Sequence, residues 1–280
     1  KAKELLGYLP SNNNVNKKLP AVKTKDDAER VIPDFESIIP DLPFKPFDMH
    51  QIINRLVDDG IFFEILKDHA RNVIIGFARF SGRTVGIIAN QPSWIAGVID
   101  CDAADKIARF VRFCDLFGIP LLNLHDTPAY MIGSEQEHKG ILRHGAKLLY
   151  AYIDATVPKI TVILRKSFAG AYLGMCTKDT GADFVFAWPG SKVTIVGAPT
   201  AASIIFAREI RQAENPTEVE QARIQEFRDL YENSYRAAER GYIDDIIMPA
   251  ETRKYVNRSL DILENKTVSR PWRKYSNINL

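Results

Sequence analysis

Strand-like and helix-like patterns alternate along most of this chain, and that alternation limits its fold more than any other feature. Residues 73–80 and 84–89 are apolar and rich in β-branched side chains, and Ser81-Gly82-Arg83 between them is a hairpin signature. Asp102 is placed to cap a helix whose Ile107, Phe110, Val111, Cys114 and Phe117 share one face, with Gly118 as its stop. Residues 120–124 read as a strand, 141–153 as a helix and 158–164 as a strand. Short strands are expected at 184–187 and 193–196, and helices at 198–210, 217–240 and 252–263. A short helix over 49–57 comes first and ends at Asp58-Asp59-Gly60. Repeated strand-then-helix units predict an α/β domain with largely parallel strands. Sites in such sheets lie at the carboxyl ends of strands, here the loops after Leu124 and Leu164.

The second of these loops carries the sharpest local signal. From Val162 the chain is β-branched and apolar, breaks at small residues, and resumes at helical spacing towards Met175. Gly170 and Ala171 fall where the loop meets the first helical turn. Small side chains there let a ligand approach the backbone, and free N–H groups of a helix start can hold an oxygen that becomes negative during reaction. The same residues also suit close packing of helix on sheet, and the pattern alone leaves both readings open.

With 46% of its 280 residues hydrophobic, the chain can bury a sizeable core. The net charge of +2 asks for neither nucleic acid nor a membrane surface. Three cysteines, Cys101, Cys114 and Cys176, without CxxC spacing, suggest a reducing compartment and no structural zinc, with Cys114 and Cys176 packed in the core. No apolar run is long enough to span a bilayer and no signal peptide is visible. The chain opens at Lys1 without Met and reads as a fragment or a processed product. Ser11-Asn12-Asn13-Asn14 is a polar linker, and Pro33, Pro40, Pro43 and Pro46 favour extended chain. Residues 1–45 are therefore expected as a linker and extended segment, and 46–280 as the folded domain.

Motifs for a serine nucleophile elbow, a phosphate-binding loop, a dinucleotide fold or a zinc helix are absent. His138 and His144 lie near Glu135 and Glu137, where a general base is conceivable and a surface or helix-packing role commoner. Asp244-Asp245 is a candidate carboxylate pair, with a solvated turn or a contact to Arg240 the commoner reading. Asp126, before Thr127-Pro128, reads as a turn-former, with a ligand-facing role as the alternative. Small-residue loops without a nucleophile suit chemistry supplied by a cofactor and stabilised by backbone donors, or a binding module.

Longer runs then narrow the choice. They are Ala89-Asn90-Gln91-Pro92 with Ala96-Gly97-Val98-Ile99-Asp100, the stretches 106–120, 126–151 and 155–175, Ala187-Trp188-Pro189 with Gly197-Ala198, and 239–246 and 270–280. In this order they resemble the C-terminal half of the carboxyltransferase (β) subunit of biotin-dependent acyl-CoA carboxylases. The likeness, from about Leu42 onward, is to the branch of the propionyl-CoA carboxylase β and methylmalonyl-CoA decarboxylase α subunits. It implies a crotonase-like (ClpP/crotonase) spiral fold of mixed, largely parallel strands with surrounding helices. It implies biotin as cofactor, brought by a separate carrier protein or domain, and acyl-CoA as substrate. By the resemblance Gly170 and Ala171 give N–H groups to the biotin ureido oxygen, and Pro128, Ala129, Tyr130, Tyr172 and Leu173 line the pocket. No metal is implied. Three positions depart from the family pattern: Ala169 replaces the first glycine of GGAY, Ala129 the glycine of DVPGF, and Leu173 an acidic residue frequent in the propionyl branch.

The resemblance implies partners as well: an N-terminal carboxyltransferase domain that binds acyl-CoA, a biotin carboxyl carrier, and further copies in a dimer or hexamer. Neither nucleic acid nor direct membrane insertion is expected, and the location is cytoplasmic, or the mitochondrial matrix in a eukaryote. Two alternatives stay open: the equivalent subunit of a sodium-pumping decarboxylase acting on methylmalonyl- or glutaconyl-CoA, and a non-catalytic assembly domain.

Overall fold

The computed structural model describes residues 1–13, 20–40, 42 and 45–269. Asn14, Pro43 and the 270–280 run lie outside the described residues. One sheet of eight strands runs through the molecule in the order β1-β2-β3-β4-β5-β6-β8, with β7 pairing the far end of β5. The strands are β1 (Phe63–Ile65), β2 (Val73–Phe80), β3 (Arg83–Asn90), β4 (Leu121–Thr127), β5 (Lys159–Phe168), β6 (Phe184–Ala187), β7 (Lys192–Thr194) and β8 (Asp245–Ile246). β2 pairs antiparallel with β1 on one side and with β3 on the other, and every pairing from β3 onward is parallel. Ser81 and Gly82 join β2 to β3 with φ of 50° and 78°, the positive pair that a tight hairpin turn demands.

Alternation along the strands sorts the core into two layers. Ile75, Phe77, Ile88 and Ile163 face the helices Cys101–Leu116 and Ile141–Asp154 through Ile107, Val111 and Leu148. Ile74, Ile87, Leu122, Leu124 and Val162 face the helices His50–Leu56 and Thr252–Ile262 through Ile52, Ile53, Val256 and Leu260. A parallel sheet covered on both faces needs such apolar strands. The early segment joins these layers: Tyr8 packs in the first, and Ile32 and Phe35 in the second.

Several elements differ from expectation. The helix at 101 is capped by Asp100, not Asp102, because the Asp100 carboxylate accepts the Ala103 N–H at 2.8 Å. The 198–210 helix is two, Ala198–Ile205 and Ala207–Gln212, bent at Phe206 (φ −104°, ψ 15°). The 217–240 helix is also two, Pro216–Tyr231 and Ser234–Glu239, because the Asn233 side chain caps the second by accepting the Arg236 N–H. β4 and β5 run past Leu124 and Leu164 by several residues, since His125, Asp126, Arg165, Lys166 and Ser167 are buried polar residues held inside the sheet. All three cysteines are free and buried. No described helix is long and apolar enough to cross a membrane.

Candidate functional site

β5 passes into the helix Ala169–Gly174 with no intervening loop. The reversal is made at Ala169, whose φ of 53° lies in the left-handed region. Gly170 and Ala171 therefore sit in the first turn, where no earlier carbonyl of the helix reaches their N–H groups. Ala169 and Gly170 are exposed, while Ala171 is buried against the first core layer.

The loop after β4 lies over this turn. Ile99 and Tyr130 form a parallel bridge, in which Ile99 N–H donates to the Ala129 carbonyl at 3.1 Å and Met131 N–H to the Ile99 carbonyl at 2.8 Å. The bridge fixes Pro128, Ala129 and Tyr130, all partly exposed. The Tyr130 side chain rests on backbone kept bare by Gly145, Gly170 and Gly174: added Cβ atoms there would come within 3.3 and 3.5 Å of its ring and 2.5 Å of its hydroxyl oxygen. Its hydroxyl is buried without a hydrogen-bond partner among the described residues, and burial pushes the phenol well above its ordinary pKa. Tyr172 and Leu173 are half-buried on the same helix, with the Tyr172 ring meeting the edge of Tyr242 at 6.4 Å. The structure thus brings Gly170, Ala171, Tyr130, Tyr172 and Leu173 onto or against one short helix.

Beneath the turn the sheet carries a charged layer that sequence reasoning missed. Asp126 is no turn-former: it is fully buried, accepts from Arg165 at 2.8 Å and from the Lys166 N–H at 3.0 Å, and its own backbone N–H donates to Asn90 Oδ1 at 3.2 Å. Beside it His125 is fully buried, 3.5 Å from the Ser167 hydroxyl, and burial pushes its pKa down to about 3. The one signal available was a polar run interrupting two strands, which by itself reads as a strand end.

The other sequence candidates lie elsewhere. His138 is exposed, and His144 is held by Asp105 at 2.8 Å, which also pairs with Lys147. Asp244 accepts from the Val185 N–H and pairs with Lys178 at 2.7 Å rather than with Arg240. Among the described residues no group of three or more His, Cys, Asp or Glu side chains could hold a metal.

A strand running directly into a short helix, with backbone N–H groups open at the turn, now stands beside the known proteins. The family model of the carboxyl transferase domain matches residues 1–278. The chain belongs to the carboxyl transferase domain family. That match takes in the first 45 residues, upstream of the motif runs. The chain is 45% identical over 278 residues to the propionyl-CoA carboxylase carboxyltransferase subunit of Haloferax mediterranei, covering 99% of this chain and 54% of that protein. It is 42% identical over 278 residues to the methylmalonyl-CoA decarboxylase subunit alpha of Propionigenium modestum, covering 99% and 53%. Among solved structures, the hexameric transcarboxylase 12S, crystallised with methylmalonyl-coenzyme A and methylmalonic acid, superposes with a TM-score of 0.96 at 43% identity, covering 100% and 53%. The chain spans about half the length of these relatives. The fold is accordingly that of the family's carboxyltransferases, crotonase-like, as the motif runs imply.

Proposed function

We propose that this chain is the biotin-facing half of an acyl-CoA carboxyltransferase, moving a carboxyl group between biotin and a short-chain, propionyl-type acyl-CoA. The turn at Gly170 and Ala171 carries the reading. In this proposal residues 46–280 form the C-terminal carboxyltransferase domain, and 1–45 lead into it. An N-terminal domain binds acyl-CoA, a carrier protein or domain brings biotin, and the assembly is a dimer or hexamer in the cytoplasm, or the mitochondrial matrix of a eukaryote.

The residues fit a planar urea. Gly170 has no side chain and is exposed, so the backbone is open to approach, and the N–H groups of Gly170 and Ala171 lack helical acceptors. Bound biotin supplies the carboxyl-carrying nitrogen and an oxygen that gains negative charge as the group leaves. The two N–H groups stabilise charge at that oxygen without reorganisation, because the turn is already held between β5 and Tyr130. Pro128, Ala129 and Tyr130 close one side and keep water out, and Leu173 gives the wall an apolar character. With no histidine or carboxylate among residues 168–174, the turn contributes positioning and charge stabilisation rather than a proton acceptor. The 42% identity to a decarboxylase alpha subunit supports a second direction, from acyl-CoA to biotin, on the same residues.

Ala171→Pro deletes one donor, since proline has no N–H. In the complete enzyme, with folding verified by circular dichroism, carboxyl transfer should fall about 10²–10³-fold, the usual loss for one such donor. A folded variant that transfers at the parental rate removes the turn from the reaction.

A further inference from the structure

Just before the turn the two central strands fall out of step. His125 pairs with Ile163 and Thr127 with Ser167, so β5 advances four residues while β4 advances two. Asp126 alone stands opposite Leu164, Arg165 and Lys166. The surplus draws the end of β5 back by about 7 Å relative to β4, at the usual rise per strand residue. Past this bulge Ser167 and Phe168 are locked again, by Thr127 on one side and by Val193 and Thr194 of β7 on the other, and Ala169 follows at once. The place of the bulge therefore sets the place of Gly170 and Ala171.

One side chain closes the bulge. Asp126 Oδ1 accepts the Lys166 backbone N–H at 3.0 Å, and Oδ2 accepts from Arg165 Nη2 at 2.8 Å. Arg165 Nη1 donates in turn to the Lys45 carbonyl at 2.9 Å. On the β3 side the Asp126 N–H donates to Asn90 Oδ1 at 3.2 Å, and Asn90 Nδ2 to the Gly97 carbonyl at 3.2 Å. The Asp126 carboxylate is wholly buried. A buried ion pair is often no more stabilising than apolar side chains of equal volume, so stability alone is a poor reason for a carboxylate here.

We propose that Asp126 is a positioning residue for carboxyl transfer: its Oδ1 fixes the bulge of β5 and thereby sets the N–H groups of Gly170 and Ala171 where the biotin oxygen arrives. The proposal rests on that turn holding the biotin oxygen.

The test uses the complete enzyme, with propionyl-CoA and carboxybiotin as the probe, and two double variants that both remove the ion pair. Asp126→Asn with Arg165→Met keeps an oxygen for the Lys166 N–H. Asp126→Leu with Arg165→Met has the same shape and no acceptor. With folding verified by circular dichroism, the Asn pair should keep kcat within about threefold of the parent. The Leu pair should lose about 10²-fold in kcat, as a displacement near 1 Å can cost, with KM for propionyl-CoA unchanged. Equal kcat in the two folded double variants overturns the proposal and makes Asp126 a structural partner of Arg165. Where the Leu pair does not fold, Asp126→Glu decides, since it keeps the charge beside Arg165 but moves the acceptor by one methylene. A kcat loss at constant KM in that variant supports the positioning role, and a parental kcat overturns it. Ala171→Pro separates the two ideas: a parental rate there removes the turn, whereas a loss there with equal double variants removes Asp126 alone.

Discussion

At the scale of one residue, Ala169 is a position at the site where sequence and backbone disagree. An L-residue with a side chain at φ 53° carries a left-handed cost of about 1–2 kcal/mol. Glycine escapes that cost but loses about 0.5–1 kcal/mol more chain entropy on folding. The first term wins, so Ala169→Gly should stabilise the chain by about 0.5–1 kcal/mol, read as a shift in urea midpoint at constant m. A lowered midpoint would show that the entropy term dominates. The family pattern with glycine at this position agrees with the direction. Alanine here trades a little stability for a stiffer turn before the two N–H groups.

At the scale of elements, the contact that shapes the site is the Tyr130 ring on the glycine faces of the helices Ile141–Asp154 and Ala169–Gly174. A Cβ on Gly174 would sit 2.5 Å from the Tyr130 hydroxyl oxygen, so Gly174→Ala should cost about 1–3 kcal/mol despite its better helix propensity. Tyr130→Phe removes that oxygen, which has no partner to lose among the described residues, and should by itself raise stability by about 1 kcal/mol. The double variant should recover much of the Gly174→Ala loss. Equal losses with and without the hydroxyl would mean that the helix, not the ring, gives way. Such contacts explain what the sequence could tell. Apolar periodicity located the hairpin, the helix Cys101–Leu116 and the two central parallel strands, because burial on a face leaves a repeating mark. Gly170 and Ala171 were legible from small residues at a strand end. The breaks at Phe206 and Glu232 were not, because a side-chain cap such as Asn233 interrupts a helix without changing its pattern. Asp126 and Lys166 were illegible for a related reason: their partners are forty residues apart in the chain and meet only across the β4–β5 ladder.

At the scale of the whole molecule, both faces of the sheet are covered, and that places a histidine where it cannot carry charge. His125 is the one histidine of five that is wholly buried, on β4 between two parallel neighbours. Its pKa is pushed down to about 3 by loss of solvent, against an unfolded value near 6.5. Below about pH 6.5 the unfolded chain takes up a proton that the folded chain refuses, so unfolding is favoured as pH falls. The stability contributed by neutral His125 is thus complete above pH 6.5 and is lost progressively towards pH 3, at up to about 1.4 kcal/mol per unit. Between pH 7 and 5 the loss should be about 2 kcal/mol in urea unfolding at fixed protein concentration. This window separates the histidine from Asp48 and Asp105, whose hydrogen bonds hold them below the ordinary carboxylate value despite burial and whose contribution fades only in stronger acid. His125→Gln, which keeps a polar side chain but cannot titrate, should flatten the curve over that interval whatever its absolute stability. A variant with the parental slope between pH 7 and 5 would place the acid sensitivity on another group, and would mean that the centre of the sheet admits a charged histidine.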